Sequence, residues 1–235
     1  MTSWRARCGV VMSARRNTAR MVLTAALALT VPIAAARQAT VIDRLPQRPS
    51  AGARYVIYLH GRIIEDLGPR PTHPTWGVYE YQQVLESIAA SGAVVISEQR
   101  PASTDVDVYA KHVVEQVQTL LRAGVPAERV SIVGFSKGGV IAIRASALLQ
   151  QPAINFVFLA ACGDGDFSKT DIRISGRILS VYETSDDVGR SCAGLFAKAD
   201  AGEHVELAVS VGRQHGTFFR PEPAWVAPVL AWIRR

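Results

Sequence analysis

The stretch Arg129-Val130-Ser131-Ile132-Val133-Gly134-Phe135-Ser136-Lys137-Gly138-Gly139-Val140-Ile141-Ala142-Ile143-Arg144-Ala145 decides the fold. A short apolar run leads into Gly134-Phe135-Ser136-Lys137-Gly138, and an apolar helical pattern leaves it. A G-x-S-x-G placed between a strand and a helix is a nucleophile elbow: the strand ends, the chain turns sharply, and the serine projects at the tip. Glycines flank the turn because side chains there would collide with the neighbouring strand and helix.

The flanking sequence alternates strand and helix signals. Arg54–Leu59 is β-rich and ends at His60-Gly61, and Ala93–Ser97 reads as a buried strand. Further runs follow at 154–160, 177–182 and 203–209. Between them, Val78–Ala90 and the segment opened by Asp105 carry apolar residues at helical spacing, and Ala224–Arg235 reads as an amphipathic helix. Continuous apolar strands alternating with helices predict an α/β architecture. It is a mostly parallel central sheet of six to seven strands with helices on both faces, and Val41-Ile42-Asp43 is the candidate edge strand. Asp66–Trp76 is the longest irregular loop, and 163–176 is a polar connection.

Functional groups in such sheets gather beyond the carboxyl ends of the strands. Ser136 ends a strand there and needs a base, because a hydroxyl is a weak nucleophile. His215, in Gly212-Arg213-Gln214-His215-Gly216-Thr217 just past the last strand, can reach over the sheet. His204 starts a strand and so lies at the wrong end, His112 is mid-helix, and His60 and His73 precede the serine. An acid must orient the imidazole. Asp186, two residues before Val188 in the loop after Arg177–Tyr182, is the candidate; Asp187 is the near alternative, and Asp164 and Asp166 are more distant ones. An oxyanion hole needs two backbone N–H groups. Lys137, directly after the serine, supplies one. Arg62, after His60-Gly61, is the candidate for the other.

The order Ser136, Asp186, His215, with His60-Gly61 upstream, resembles the α/β-hydrolase superfamily over residues 50–235. The resemblance implies a compact, cap-less serine hydrolase. Such an enzyme would form a covalent acyl-enzyme on Ser136 and release it to water, cleaving an ester, thioester or amide of a small-molecule acyl substrate. An acyltransferase with the same acyl-enzyme, or a non-catalytic binding protein on the same fold, are the alternatives. His60, Gly61 and Trp76 are the expected substrate-contacting residues. Arg62, Arg70, His73, Trp76, Arg100 and Lys137 could together accept an anionic or polar substrate, or simply be solvated surface. The chain departs from the glycine-rich lipase and esterase type: Arg62-Ile63-Ile64-Glu65 follows Gly61 in place of further glycines. Nothing in the spacing of Asp, His or Cys suggests a metal, and no phosphate-binding glycine loop appears, so no cofactor is expected.

Charge excludes one further class. The 235 residues carry a formal +6, but residues 1–36 hold five arginines and no acid. Without those five, 21 basic residues face 20 acidic ones, which is no electrostatic footprint for nucleic acid. Residues 1–36 read as a secretory signal: a basic region ending at Arg20, an apolar stretch from Met21, and Ala34-Ala35-Ala36 as an A-x-A-like cleavage site. The apolar stretch is short for a membrane span of roughly 20 residues, so no stable span is expected after cleavage. The mature chain, 37–235, is then a single domain in the periplasm or outside the cell. There an oxidising compartment makes a Cys162–Cys192 disulfide the candidate pairing, with two buried thiols as the alternative.

Overall fold

The computed structural model describes residues 1–2, 9, 40–163, 171–199 and 202–235. The expected leader and its cleavage site lie almost wholly outside them. The compact unit Arg37–Arg235 is built on one sheet. Its strands are β1 (Thr40–Ile42), β2 (Tyr55–Leu59), β5 (Val94–Ile96), β6 (Val130–Phe135), β7 (Asn155–Leu159), β8 (Arg177–Glu183) and β9 (His204–Val209). They lie in the order β1-β5-β2-β6-β7-β8-β9, and every neighbouring pair is parallel. The six apolar runs are six of these strands, and the candidate edge strand at 41–43 is β1, one residue earlier than expected.

Side chains along each strand alternate between two cores, as the pleat requires. From β2, Tyr55, Ile57 and Leu59 point to one face, where they join Val113, Val117 and Leu120 of α3 (Val106–Arg122) and Ile141, Ala142 and Ala145 of α4 (Lys137–Leu149). Val56 and Tyr58 point to the other face, with Val84, Leu85 and Ile88 of α2 (Tyr81–Ala89) and Trp225, Val229 and Trp232 of α6 (Pro223–Arg234). Both faces of the central strands β2, β6 and β7 are covered, so every residue in them is buried. Asp105 caps α3 as its sequence position suggests, accepting from Val108 N–H at 2.8 Å.

Two local elements depart from the expected pattern. Residues after Gly61 do not continue as a loop but form a short helix, α1 (Arg62–Leu67). The irregular stretch after it contains a small hairpin, β3 (Thr72–His73) against β4 (Gly77–Val78). That hairpin delays α2, which starts at Tyr81 rather than Val78, because Val78 pairs with Thr72 and Tyr79 N–H bonds Pro71 O at 2.9 Å. Cys162 and Cys192 form a disulfide, and the second of them starts the one-turn helix α5 (Ala193–Phe196). Among the described residues no helix is long and apolar enough to cross a membrane.

Candidate active site

β6 sits at the middle of the sheet and delivers Ser136 to its carboxyl edge. Ser136 is half-buried and adopts φ 52°, ψ −121°, a region that side chains rarely occupy. Its N–H bonds Leu159 O of β7 at 2.9 Å, which ties the turn to the neighbouring strand. The glycines are obligatory on either side. A Cβ on Gly134 would lie 2.3 Å from Gly138 O, and one on Gly138 would lie 2.0 Å from Leu59 O. The strained turn therefore exists only because backbone packs directly on backbone.

The candidate base and the candidate acid come from the loops after β9 and β8. His215 lies in a 3-10 turn, Gln214–Phe219, and Asp186 lies three residues past the end of β8. His215 Nδ1 donates to Asp186 Oδ2 at 2.7 Å, and both residues are buried. Val188 N–H donates to the other carboxylate oxygen at 2.9 Å, so each oxygen of Asp186 has a fixed partner. Asp187 is exposed, and the carboxylate bonded to the imidazole is that of Asp186; Asp164 and Asp166 lie outside the described residues. The ring of His215 packs between Phe135 (4.8 Å between centroids) and Trp76 (5.1 Å), which fixes its plane. With Nδ1 committed to Asp186, Nε2 is the ring nitrogen left for chemistry. The Ser136 hydroxyl has no hydrogen bond among the described residues. Ser136 and His215 line the same cavity.

The two candidate oxyanion donors are both first residues of helices. Arg62 opens α1 and Lys137 opens α4, and neither backbone N–H has a partner among the described residues. An N1 amide has no intrahelical acceptor and points outward with the positive end of its helix. Gly61 brings the first donor close: a Cβ there would meet the Phe135 ring at 3.1 Å and Ser136 Cβ at 3.7 Å. The side chains of the two residues turn to other work. Arg62 is exposed and lies 3.8 Å from Asp66. Lys137 Nζ donates at 2.5 Å to Glu65, whose second oxygen takes Arg100 Nε at 2.7 Å. Glu65 and Arg100 have fully buried side chains, so one carboxylate of α1 holds both the elbow and the loop after β5.

His60 stands apart from the other expected substrate contacts. Gly61 and Trp76 line the cavity; His60 is wholly buried and does not. Its Nε2 accepts from Arg100 N–H at 3.0 Å, and its Nδ1 donates to Gly61 O at 2.9 Å. A proton on Nε2 would face another N–H. Burial first, and then the Arg100 charge, push its pKa down to about 4. His60 is thus a neutral strut under the Gly61 turn and does not line the cavity.

The cavity above Ser136 measures about 520 Å³. Ile63, Pro74, Trp76, Phe135 and Phe219 give it an apolar wall, and Leu67 and Val188 form exposed lips. The hairpin supplies much of the wall: Trp76 stacks on His73 with centroids 3.9 Å apart, and its Nε1–H reaches Gln214 Oε1 at 3.3 Å. A slightly larger cavity, about 590 Å³, is lined by Asp107, Lys111 and Arg144 among others, but holds none of the site's groups. Arg100 and Lys137, which sequence offered as cations for a substrate, are instead bound to Glu65.

No protein-family model matches the chain, and no curated protein matches it in sequence. Solved structures match its fold. SOBER1 of Arabidopsis thaliana aligns over 78% of this chain and 99% of its own, with a TM-score of 0.53 at 15% identity. The Pyrococcus furiosus esterase Pf2001 aligns over 79% and 84%, with a TM-score of 0.52 at 16% identity. A monoacylglycerol lipase of Paleococcus ferrophilus aligns over 77% and 93%, with a TM-score of 0.55 at 13% identity. The chain has the α/β-hydrolase fold.

Proposed function

We propose that this chain is a serine hydrolase that cleaves carboxylic esters through an acyl-enzyme on Ser136. The observation that carries the reading is the buried His215–Asp186 pair, opening into the same apolar cavity as a serine held at positive φ. In this mechanism Ser136 Oγ attacks the carbonyl carbon while His215 Nε2 takes its proton. The amides of Arg62 and Lys137 receive the developing oxyanion. His215 then returns the proton to the leaving alcohol, and water, deprotonated by the same nitrogen, releases the acid and frees Ser136.

The charge arrangement favours a neutral, apolar acyl group. Arg62 faces Asp66, and Lys137 and Arg100 share Glu65, so each of these cations is already engaged by a carboxylate. The wall of Ile63, Trp76, Phe135 and Phe219 offers dispersion contacts instead. The disulfide supports a protein that works in an oxidising compartment, which agrees with reading residues 1–36 as a secretory leader.

The test is a panel of p-nitrophenyl esters of increasing acyl length, run on the wild type and on Ser136→Ala. Wild-type turnover is expected, falling by about 10⁴-fold or more in the variant, with circular dichroism unchanged. A fluorophosphonate probe should label the wild type alone. Equal turnover by the folded variant would overturn the reading.

A further inference from the structure

We propose that Glu183 is a positioning residue for the catalytic base: a buried carboxylate that locks the loop carrying His215 onto the loop carrying Asp186. The inference rests on the triad reading above and extends it to a residue that touches neither substrate nor the reacting atoms.

Glu183 is the last residue of β8, three positions before Asp186, and is 1% exposed. Among the described residues no cation lies within ion-pair distance of it. Its charge is met by a ring of neutral donors. Oε2 takes Val211 N–H at 2.8 Å and the Thr217 hydroxyl at 3.2 Å. Oε1 takes Gly212 N–H at 3.4 Å, Ser185 N–H at 3.4 Å and the Ser185 hydroxyl at 3.2 Å. The Ser185 hydroxyl in turn accepts Gln214 N–H at 3.3 Å. The base loop is therefore held at 211, 212, 214 and 217, on both sides of His215, and the acid loop is held at 185.

Only an ionised carboxylate suits this position. It accepts on both oxygens and needs no donor of its own, and hydrogen bonds to a charged acceptor are about twice as strong as neutral ones. Burial alone would raise its pKa; the amides of Val211, Gly212 and Ser185 and the Thr217 hydroxyl outweigh that and hold it below the usual carboxylate range. An amide in its place would turn an NH2 group toward one set of donors. Val211 N–H, or Gly212 and Ser185, would then lose an acceptor, and the base loop would move relative to Asp186.

The experiment compares Glu183→Gln, Glu183→Asp and the reference Asp186→Asn in the full chain. It reads kcat and KM on p-nitrophenyl butyrate and the downfield proton resonance of His215 Nδ1–H, assigned by its loss in Asp186→Asn. For Glu183→Gln we expect kcat to fall by about 10- to 100-fold, as a displacement of about 1 Å can cause. KM should change less than about twofold, and the downfield resonance should broaden or shift. Glu183→Asp, which keeps the charge, should recover part of the lost kcat. A folded Glu183→Gln with wild-type kcat and an intact resonance overturns the proposal. The wild type provides a measurement that does not depend on any variant folding: the amides of Val211 and Gly212 should exchange with solvent as slowly as those inside β9, and exchange at the rate of an open loop also overturns it. Retained hydrolysis by Ser136→Ala would remove the triad reading alone, since the resonance and the amide exchange do not depend on the serine.

Discussion

At the scale of single residues, the site couples strain to buried charge. Positive φ at Ser136 costs on the order of 1–3 kcal/mol, and it is maintained by contacts that leave no room for side chains at Gly134 and Gly138. Gly138→Ala is therefore expected to lose both soluble expression and turnover, because its Cβ would lie 2.0 Å from Leu59 O. Glu65 is the second stress point. Glu65→Ala would leave Arg100, wholly buried, without its carboxylate, and should destabilise the protein by about 3–5 kcal/mol in urea unfolding. A loss of under about 1 kcal/mol would mean that the ion pair is not desolvated in solution. Sequence exposed Ser136, His215 and Asp186 because each follows an apolar run and carries distinctive chemistry. It did not expose Glu65 or Glu183. A buried glutamate reads like a solvated one until partners such as Arg100, 35 positions away, are brought beside it. The departure from a glycine run after Gly61 has a structural counterpart: the proposed second oxyanion donor, Arg62, opens α1, and Glu65 fastens that helix to the elbow.

Among elements, the long ones were legible and the short ones were not. Six strands and the helices α2, α3, α4 and α6 announce themselves by period and composition. α1 has six residues, and β3 and β4 have two each, too few to establish a period. Yet α1 and the hairpin form most of the cavity wall, so the sequence named candidate residues for the site but not the shape of the cavity around them. The disulfide operates at this scale too. It joins the segment after β7 to the start of α5 across 30 positions and encloses both β8 and the Asp186 loop. By chain entropy such a closure contributes about 3–4 kcal/mol. The Cys162→Ser, Cys192→Ser double variant should lose stability of that order in urea unfolding. A midpoint unchanged from that of the oxidised wild type would show that the bridge adds nothing.

For the molecule as a whole, pH should set stability through His60. Its pKa falls from an ordinary 6.5 to about 4 on folding, so between those values the unfolded chain binds a proton that the folded one refuses. Stability is then fully present above pH 6.5 and is lost progressively as pH drops toward 4. The loss should be on the order of 3 kcal/mol. Urea unfolding at pH 7, 5.5 and 4 measures it, and a flat profile would show that His60 is solvated. The strand order has a different kind of consequence. The strand that carries Ser136 is flanked by β2 and β7, and the proposed working groups come from 61–62, 136–137, 186 and 215, so no short fragment holds the whole proposed site. Parallel pairings between distant segments form slowly, because loop closure precedes the contacts that reward it. Turnover should thus be the last signal to return on refolding from urea, well after far-ultraviolet ellipticity, and it can serve as a stopwatch for completion of the sheet.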